Sequence, residues 1–131
     1  MSMLRAQKGE LWLRPSPRVT LFELQRLVSQ RALRRTPRLG ARDETHPKGY
    51  TPGRATMLRI LDAHGRQQYS TPVTITELLV RRLGELTPAD LAGCEPTLRT
   101  WCDVQVVLSF HEGRLIAPTE PVTMVSFTYT I

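Results

Sequence analysis

The sequence predicts an α+β fold, a small mixed or closed sheet flanked by short helices. Three observations carry that expectation. A capping box near residue 20 opens a stripe of apolar residues at helical spacing. The chain closes on an alternating strand. Ten prolines and eight glycines among 131 residues cut the rest into short elements. By size this is one domain, 1–131, and 40% hydrophobic residues suffice for a packed core.

In chain order, Glu10 to Leu13 reads as a short strand ended by Pro15 and Pro17. Thr20 and Glu23 have the spacing of a capping box. Behind them Leu21, Leu24, Leu27, Val28 and Ala32 predict a helix over about 21–33. Residues 34–53 show no apolar periodicity and are punctuated by Pro37, Gly40, Pro47, Gly49, Pro52 and Gly53. They read as a long loop, functional or disordered rather than a plain connector, with Arg34 to Thr36 able to begin a strand. Thr56 to Leu61 and Gln68 to Glu77 read as strands joined by the turn at 62–65, with Pro72 marking an edge or bulge. Leu78, Leu79, Leu83 and Leu86 suggest a short helix over 77–86, and Thr87-Pro88 opens another. From Thr97 the composition is ambiguous, and a helix ending near His111 with Gly113 as its stop is favoured. In the last strand Val125, Phe127, Tyr129 and Ile131 share one face, opposite Ser126, Thr128 and Thr130.

Charge is the sharpest functional signal. From Arg31 to Arg59 eight basic residues (Arg31, Arg34, Arg35, Arg38, Arg42, Lys48, Arg54 and Arg59) face two acids, Asp43 and Glu44. That segment holds the whole net charge of +6, because the other 102 residues balance ten basic against ten acidic side chains. A cationic segment on an otherwise neutral chain points to an anionic partner, most commonly a phosphate backbone. Sixteen of the eighteen basic residues are arginine, which suits bidentate phosphate contact but also follows from GC-rich coding.

Other classes are disfavoured. No apolar run approaches the roughly 18 residues of a membrane span. Residues 1–14 do not read as a signal peptide, so a reducing cytoplasm is the expected location. Cys94 and Cys102 are then ordinary thiols. His46, His64 and His111 have no ligand-spaced partners, and no metal or cofactor is expected. Oligomeric state is left open.

The order of elements resembles the ASCH domains, a branch of the PUA-like β-barrel superfamily. Ala32-Leu33-Arg34-Arg35-Thr36 is similar to the family's Gly-Arg-Lys-Thr segment. Pro52-Gly53 followed by Met57 to Ile60 is similar to its Pro-Gly-Asp and strand step. Val73 to Thr76, Leu86-Thr87 and Val122 to Phe127 follow in the family's order, so the likeness spans about residues 20–130. The resemblance implies a small PUA-like mixed β-barrel with flanking helices and a cleft lined by the basic segment. It also implies binding of RNA or a modified nucleoside, or an enzyme on such ligands, a ribonuclease or an N-acylcytidine amidohydrolase. In the amidases a Lys–Thr pair and a later Glu form the site. Thr36 matches the Thr, Glu95 falls near the Glu, and Arg35 stands where the family has Lys. Arginine stays protonated and cannot act as a base, so Lys48 is the candidate substitute.

The candidate nucleic-acid contacts are therefore Arg34, Arg35, Arg38, Arg42, Lys48, Tyr50 and Arg54, with Tyr50 either stacking on a base or half-buried in a turn. The candidate catalytic set is Thr36, Lys48 and Glu95. His46 and Ser126 are further proton carriers if the loop folds back on the last strand. Trp12 and Trp101 are expected in the core, and Glu77 as a helix-cap acid. A third possibility is a protein-interaction domain that meets an acidic partner.

Overall fold

The computed structural model describes residues 8–130. Ile131, assigned above to the last strand's apolar face, lies outside them. The elements are β1 (Leu11–Leu13), α1 (Leu21–Ser29), β2 (Arg35–Leu39), β3 (Ala55–Leu61), β4 (Gln67–Arg82), a 3-10 turn (Leu83–Glu85), α2 (Pro88–Leu91), α3 (Trp101–Glu112) and β5 (Pro121–Tyr129). The five strands form one mixed sheet in the order β1-β3-β4-β5-β2. Only the β1–β3 pairing is parallel. The sheet curls into a half-barrel whose edges are β1 and β2.

Two apolar clusters cover its two faces. Inside the curl, Leu11, Leu13, Leu58, Ile60, Val73, Ile75, Val125 and Phe127 pack with Leu24, Leu27 and Val28 of α1. Outside it, Val122 and Met124 pack with Leu83, Leu91 and the Val104, Val107 and Leu108 stripe of α3. β5 carries both faces in alternation, as the period of two requires. The expected capping box at Thr20 is half formed: its hydroxyl accepts from the Glu23 N–H at 3.1 Å, while Glu23 pairs with Arg26 instead. Gly113 adopts φ +72° and ends α3, as expected.

Several expectations fail for identifiable reasons. The helix expected over 77–86 is strand: β4 runs on to Arg82. Leu78 packs against the inner cluster and Leu79 against the outer one, so consecutive leucines serve two opposite faces, which a helical stripe does not do. The first helix stops at Ser29 rather than 33 because Arg31 takes a left-handed φ of 57°. The 34–53 segment contains β2, paired antiparallel with β5. Its hydrophobic pattern is weak because one of its faces lines a polar cleft. Pro72 sits in β4, a central strand, and the bulge lies further on, between Ile75 and Glu77. β5 pairing starts only at Val73, so the missing Pro72 N–H disrupts no ladder bond there.

Candidate functional site

The half-barrel does not close, and β1 and β2 leave a seam. α3 packs over it, so the seam becomes a cleft lined by Trp12, Leu13 and Arg14 from the β1 side, Thr36, Pro37 and Arg38 from β2, and Leu108 and His111 from α3. An outer compartment of about 410 Å³ reaches Arg42, Lys48, Tyr50 and Glu112. Below it a throat of about 50 Å³ ends at Glu95.

The register explains which groups face the seam. The Arg34 carbonyl accepts from the Phe127 N–H and the Gly40 N–H donates to the Pro121 carbonyl, so residues 35, 37 and 39 turn their backbone polar groups away from β5. Such an open edge invites strand addition unless it is blunted. Here part of that edge is capped at each of the three positions. The Arg35 N–H donates to the Gly93 carbonyl at 3.0 Å. Pro37 has no N–H, and its carbonyl accepts from Arg38 Nη1 at 2.8 Å. The Leu39 carbonyl accepts from Arg42 Nε at 2.6 Å. Arg38 also stitches the seam, since Nη1 donates to Thr36 Oγ1 and Nη2 donates to the Trp12 carbonyl of β1, both at 2.8 Å.

Arg38 and Arg42, expected as phosphate contacts, are thus largely committed to the fold. Burial lowers the Arg42 pKa, and buried Thr123 positions its loop by accepting from the Arg42 N–H at 2.9 Å and donating to the Gly40 carbonyl at 2.7 Å. Gly49 turns that loop tightly, and a Cβ there would lie 1.6 Å from the Asp43 carbonyl oxygen.

Glu95 is the most unusual group in the cleft. It is 6% exposed, and among the described residues no side chain hydrogen-bonds its carboxylate. Burial pushes its pKa up to about 7, against the electrostatic pull of Arg38. Thr36, 2% exposed, shares the throat. Its oxygen accepts from Arg38, which leaves its own O–H hydrogen available. His111 lies at the rim against the Pro15 carbonyl at 3.2 Å. Desolvation, aided by Arg38 and Arg14, lowers its pKa, so the imidazole is neutral at pH 7.

The expected residues therefore divide. Thr36 and Glu95 meet in the throat, and Lys48 stands at the outer rim with no hydrogen bond from its ammonium among the described residues. Arg35 points to the opposite face of the sheet. Its Nε donates to Ser126 Oγ at 2.8 Å, Nη1 to the Asp90 carbonyl at 2.9 Å, and Nη2 pairs with Glu77 at 3.2 Å. Ser126 and Arg35 are thus removed from the cleft chemistry, and Glu77 is an exposed strand residue rather than a helix cap. Tyr50 is 3% exposed and packs in the inner cluster, while it also borders the outer compartment, so it is buried in the wall rather than half-buried in a turn. His46 Nδ1 accepts from the Lys48 N–H at 2.9 Å and so shapes the turn. Arg34 and Arg54 are exposed and lie outside the cleft.

Sequence reasoning missed three cleft groups. Trp12, expected in the core, is half-buried on the cleft wall with its indole N–H donating to Glu10 at 3.1 Å. Arg14 and His111 lie far from the basic segment in sequence and only the seam brings them to it. Trp101 does pack against the outer cluster. Cys94 is buried, which raises its thiol pKa, and Cys102 is exposed. Among the described residues no helix is long and apolar enough to cross a membrane.

No family model matches the chain, and no curated protein matches it in sequence. Solved structures do share its architecture. Protein EF3133 from Enterococcus faecalis V583, assigned to the DUF984 family model, superposes with a TM-score of 0.63 at 12% identity, over 97% of this chain and 83% of that one. An ASCH domain from Lactobacillus crispatus JV V101 superposes with a TM-score of 0.53 at 10% identity, over 91% of this chain and 79% of that one. The half-barrel of this protein is therefore a PUA-like fold of the ASCH type.

Proposed function

We propose that the seam cleft binds RNA or a nucleotide-like ligand. The observation that carries this reading is the cleft's polarity from rim to floor. Arg14 and Lys48 offer uncommitted cations at the mouth, Trp12 offers an aromatic wall, and the Glu95 carboxyl waits at the floor. A volume of about 410 Å³ suits a nucleotide. The throat of about 50 Å³ admits only a small group, such as the exocyclic tip of a base. Phosphate at the rim and a polar base edge toward Glu95 use the two rim cations and the floor carboxyl.

Fluorescence anisotropy with short single-stranded RNA over a salt series tests this. With two rim cations engaged, log K against log salt is expected to have a slope of about −1.4. A flat salt dependence refutes the proposal.

A second reading, hydrolysis of an acylated nucleoside or of RNA, is favoured by one specific observation. Glu95, with a pKa of about 7, lines the same throat as Thr36, so a group able to accept a proton near neutrality and a hydroxyl open into one small cavity. Arg38 beside them can steady negative charge, and Lys48 at the rim can orient the ligand. Assays with N-acylcytidine and with RNA decide it. Turnover that disappears in Thr36→Val and Glu95→Gln, with ligand binding retained, supports the hydrolase; turnover surviving both variants removes this site assignment.

A further inference from the structure

The basic segment places its remaining cations at the other end of β2. A groove of about 280 Å³ opens there, between the β4 bulge and the turn at 92–93, lined by Arg34, Arg35, Thr76 and Ser126 among others. Arg35 is committed to Ser126, Asp90 and Glu77. Arg34 is not: its backbone is anchored to the Gly93 carbonyl at 2.7 Å, while its exposed guanidinium makes no hydrogen bond among the described residues. The bulge adds a second donor. Ile75 pairs with Phe127 and Glu77 with Ser126, so Thr76 is the extra residue, and it is exposed in the groove.

Arg31 is outside the groove's lining but is linked to it through two aromatic rings, and its backbone conformation is uncommon for a residue other than glycine. It follows α1 at φ 57°, a position where glycine is usual. Its guanidinium lies 5.9 Å from the centroid of the Tyr129 ring, and that ring meets Phe127, a groove residue, edge-on at 5.6 Å. Tyr129 is itself fixed by donating to the Leu33 carbonyl at 2.5 Å. Arg31 thus adds an exposed guanidinium beside the aromatic pair that borders the groove.

We infer that this groove is a second site for the phosphate backbone of single-stranded RNA, so that one strand engages the seam cleft and the groove together. The inference rests on the cleft reading proposed above. Arg34 immediately precedes β2, and Arg38 lines the cleft on the strand's other face; the backbone between them spans about 13 Å at ~3.3 Å per residue, so a strand of several nucleotides that crosses β2 reaches both. The ligand class is therefore an oligonucleotide rather than a mononucleotide. Glu77 is paired with Arg35 at 3.2 Å, which offsets its charge.

Labelled tri-uridylate and dodeca-uridylate distinguish the two sites. The dodecamer is expected to bind more tightly than the trimer. Arg34→Ala is expected to weaken dodecamer binding about tenfold, to reduce its salt slope by about 0.7, and to leave the trimer unchanged. Arg31→Gly relieves the backbone strain, so it is expected to keep or raise the melting temperature while weakening the dodecamer. Lys48→Ala is expected to weaken both oligomers. If Arg34→Ala and Arg31→Gly bind the dodecamer as the wild type does, while Lys48→Ala weakens both, the second site is overturned and the cleft reading stands. If neither oligomer binds the wild type at low salt, both fall.

Discussion

Arg38 and Arg42 leave the same stretch of chain as Arg34 and Lys48 and carry the same charge. The first pair blunts the open edge of β2 and ties it to β1. The second pair makes no side-chain hydrogen bond among the described residues. Arg59 belongs with the committed group, since it pairs with the nearly buried Glu10 at 3.0 Å. Net charge alone thus overstates what a ligand can meet. A half-barrel has two edges to protect, and arginine, with five donors in a fixed fork, is well suited to the task. What remains for an anion is a smaller set, divided between two ends of one strand.

The sharpest test of that division is stability. Arg38→Ala removes three hydrogen bonds from a guanidinium and strips Glu95 of its nearby positive charge. It is expected to lower unfolding free energy by about 3 to 4 kcal/mol. Urea titration measures this, and a loss under about 0.5 kcal/mol would show that Arg38 does not hold the seam. Slightly smaller is the effect of pH through Glu95. Its folded-state pKa of about 7 lies above the ordinary 4.5, so the native state keeps a proton that the unfolded chain releases. Stability from this group is therefore complete below about pH 4.5 and declines up to about pH 7, by about 3 kcal/mol in all. Glu95→Gln is expected to flatten that decline and to be the more stable protein above pH 7. A wild-type profile that rises across this window would contradict the dominance of burial at the Glu95 carboxyl.

The smallest expected stability effects belong to the uncommitted cations. Lys48→Ala and Arg14→Ala are expected to shift unfolding free energy by less than about 0.5 kcal/mol. Each should still weaken RNA binding, by about 1 to 2 kcal/mol for the lost charge-assisted contact. A large stability loss from either would place it with Arg38 in the fold and erase the distinction.

Much of this organisation is legible in the residues. The Thr20 cap, the stop at Gly113 and the alternation of the last strand are local features, and the structure contains each of them. Thr36 and Glu95 came from motif likeness, and they share the throat. Other parts were hidden. Leu78 and Leu79 look like part of a helical stripe until two separate clusters are seen to lie on either side of β4. Tyr50 looks like a base platform because its neighbours are polar, yet its ring is buried against strands that are distant in sequence. Arg35 and Thr36 look like one unit because they are adjacent, but the pleat turns them to opposite faces.

By itself the sequence determined the α+β class, the element types that depend on local periodicity and caps, and the presence of a cationic segment. These follow from interactions within a few residues of each other. Only the tertiary structure decided which cations are available, that the sheet stays open, and that Arg14, Trp12, His111 and Glu95 line one cleft. Each of these depends on which backbone edge is left unpaired and which polar groups are buried, and both are properties of contacts between residues far apart in the chain.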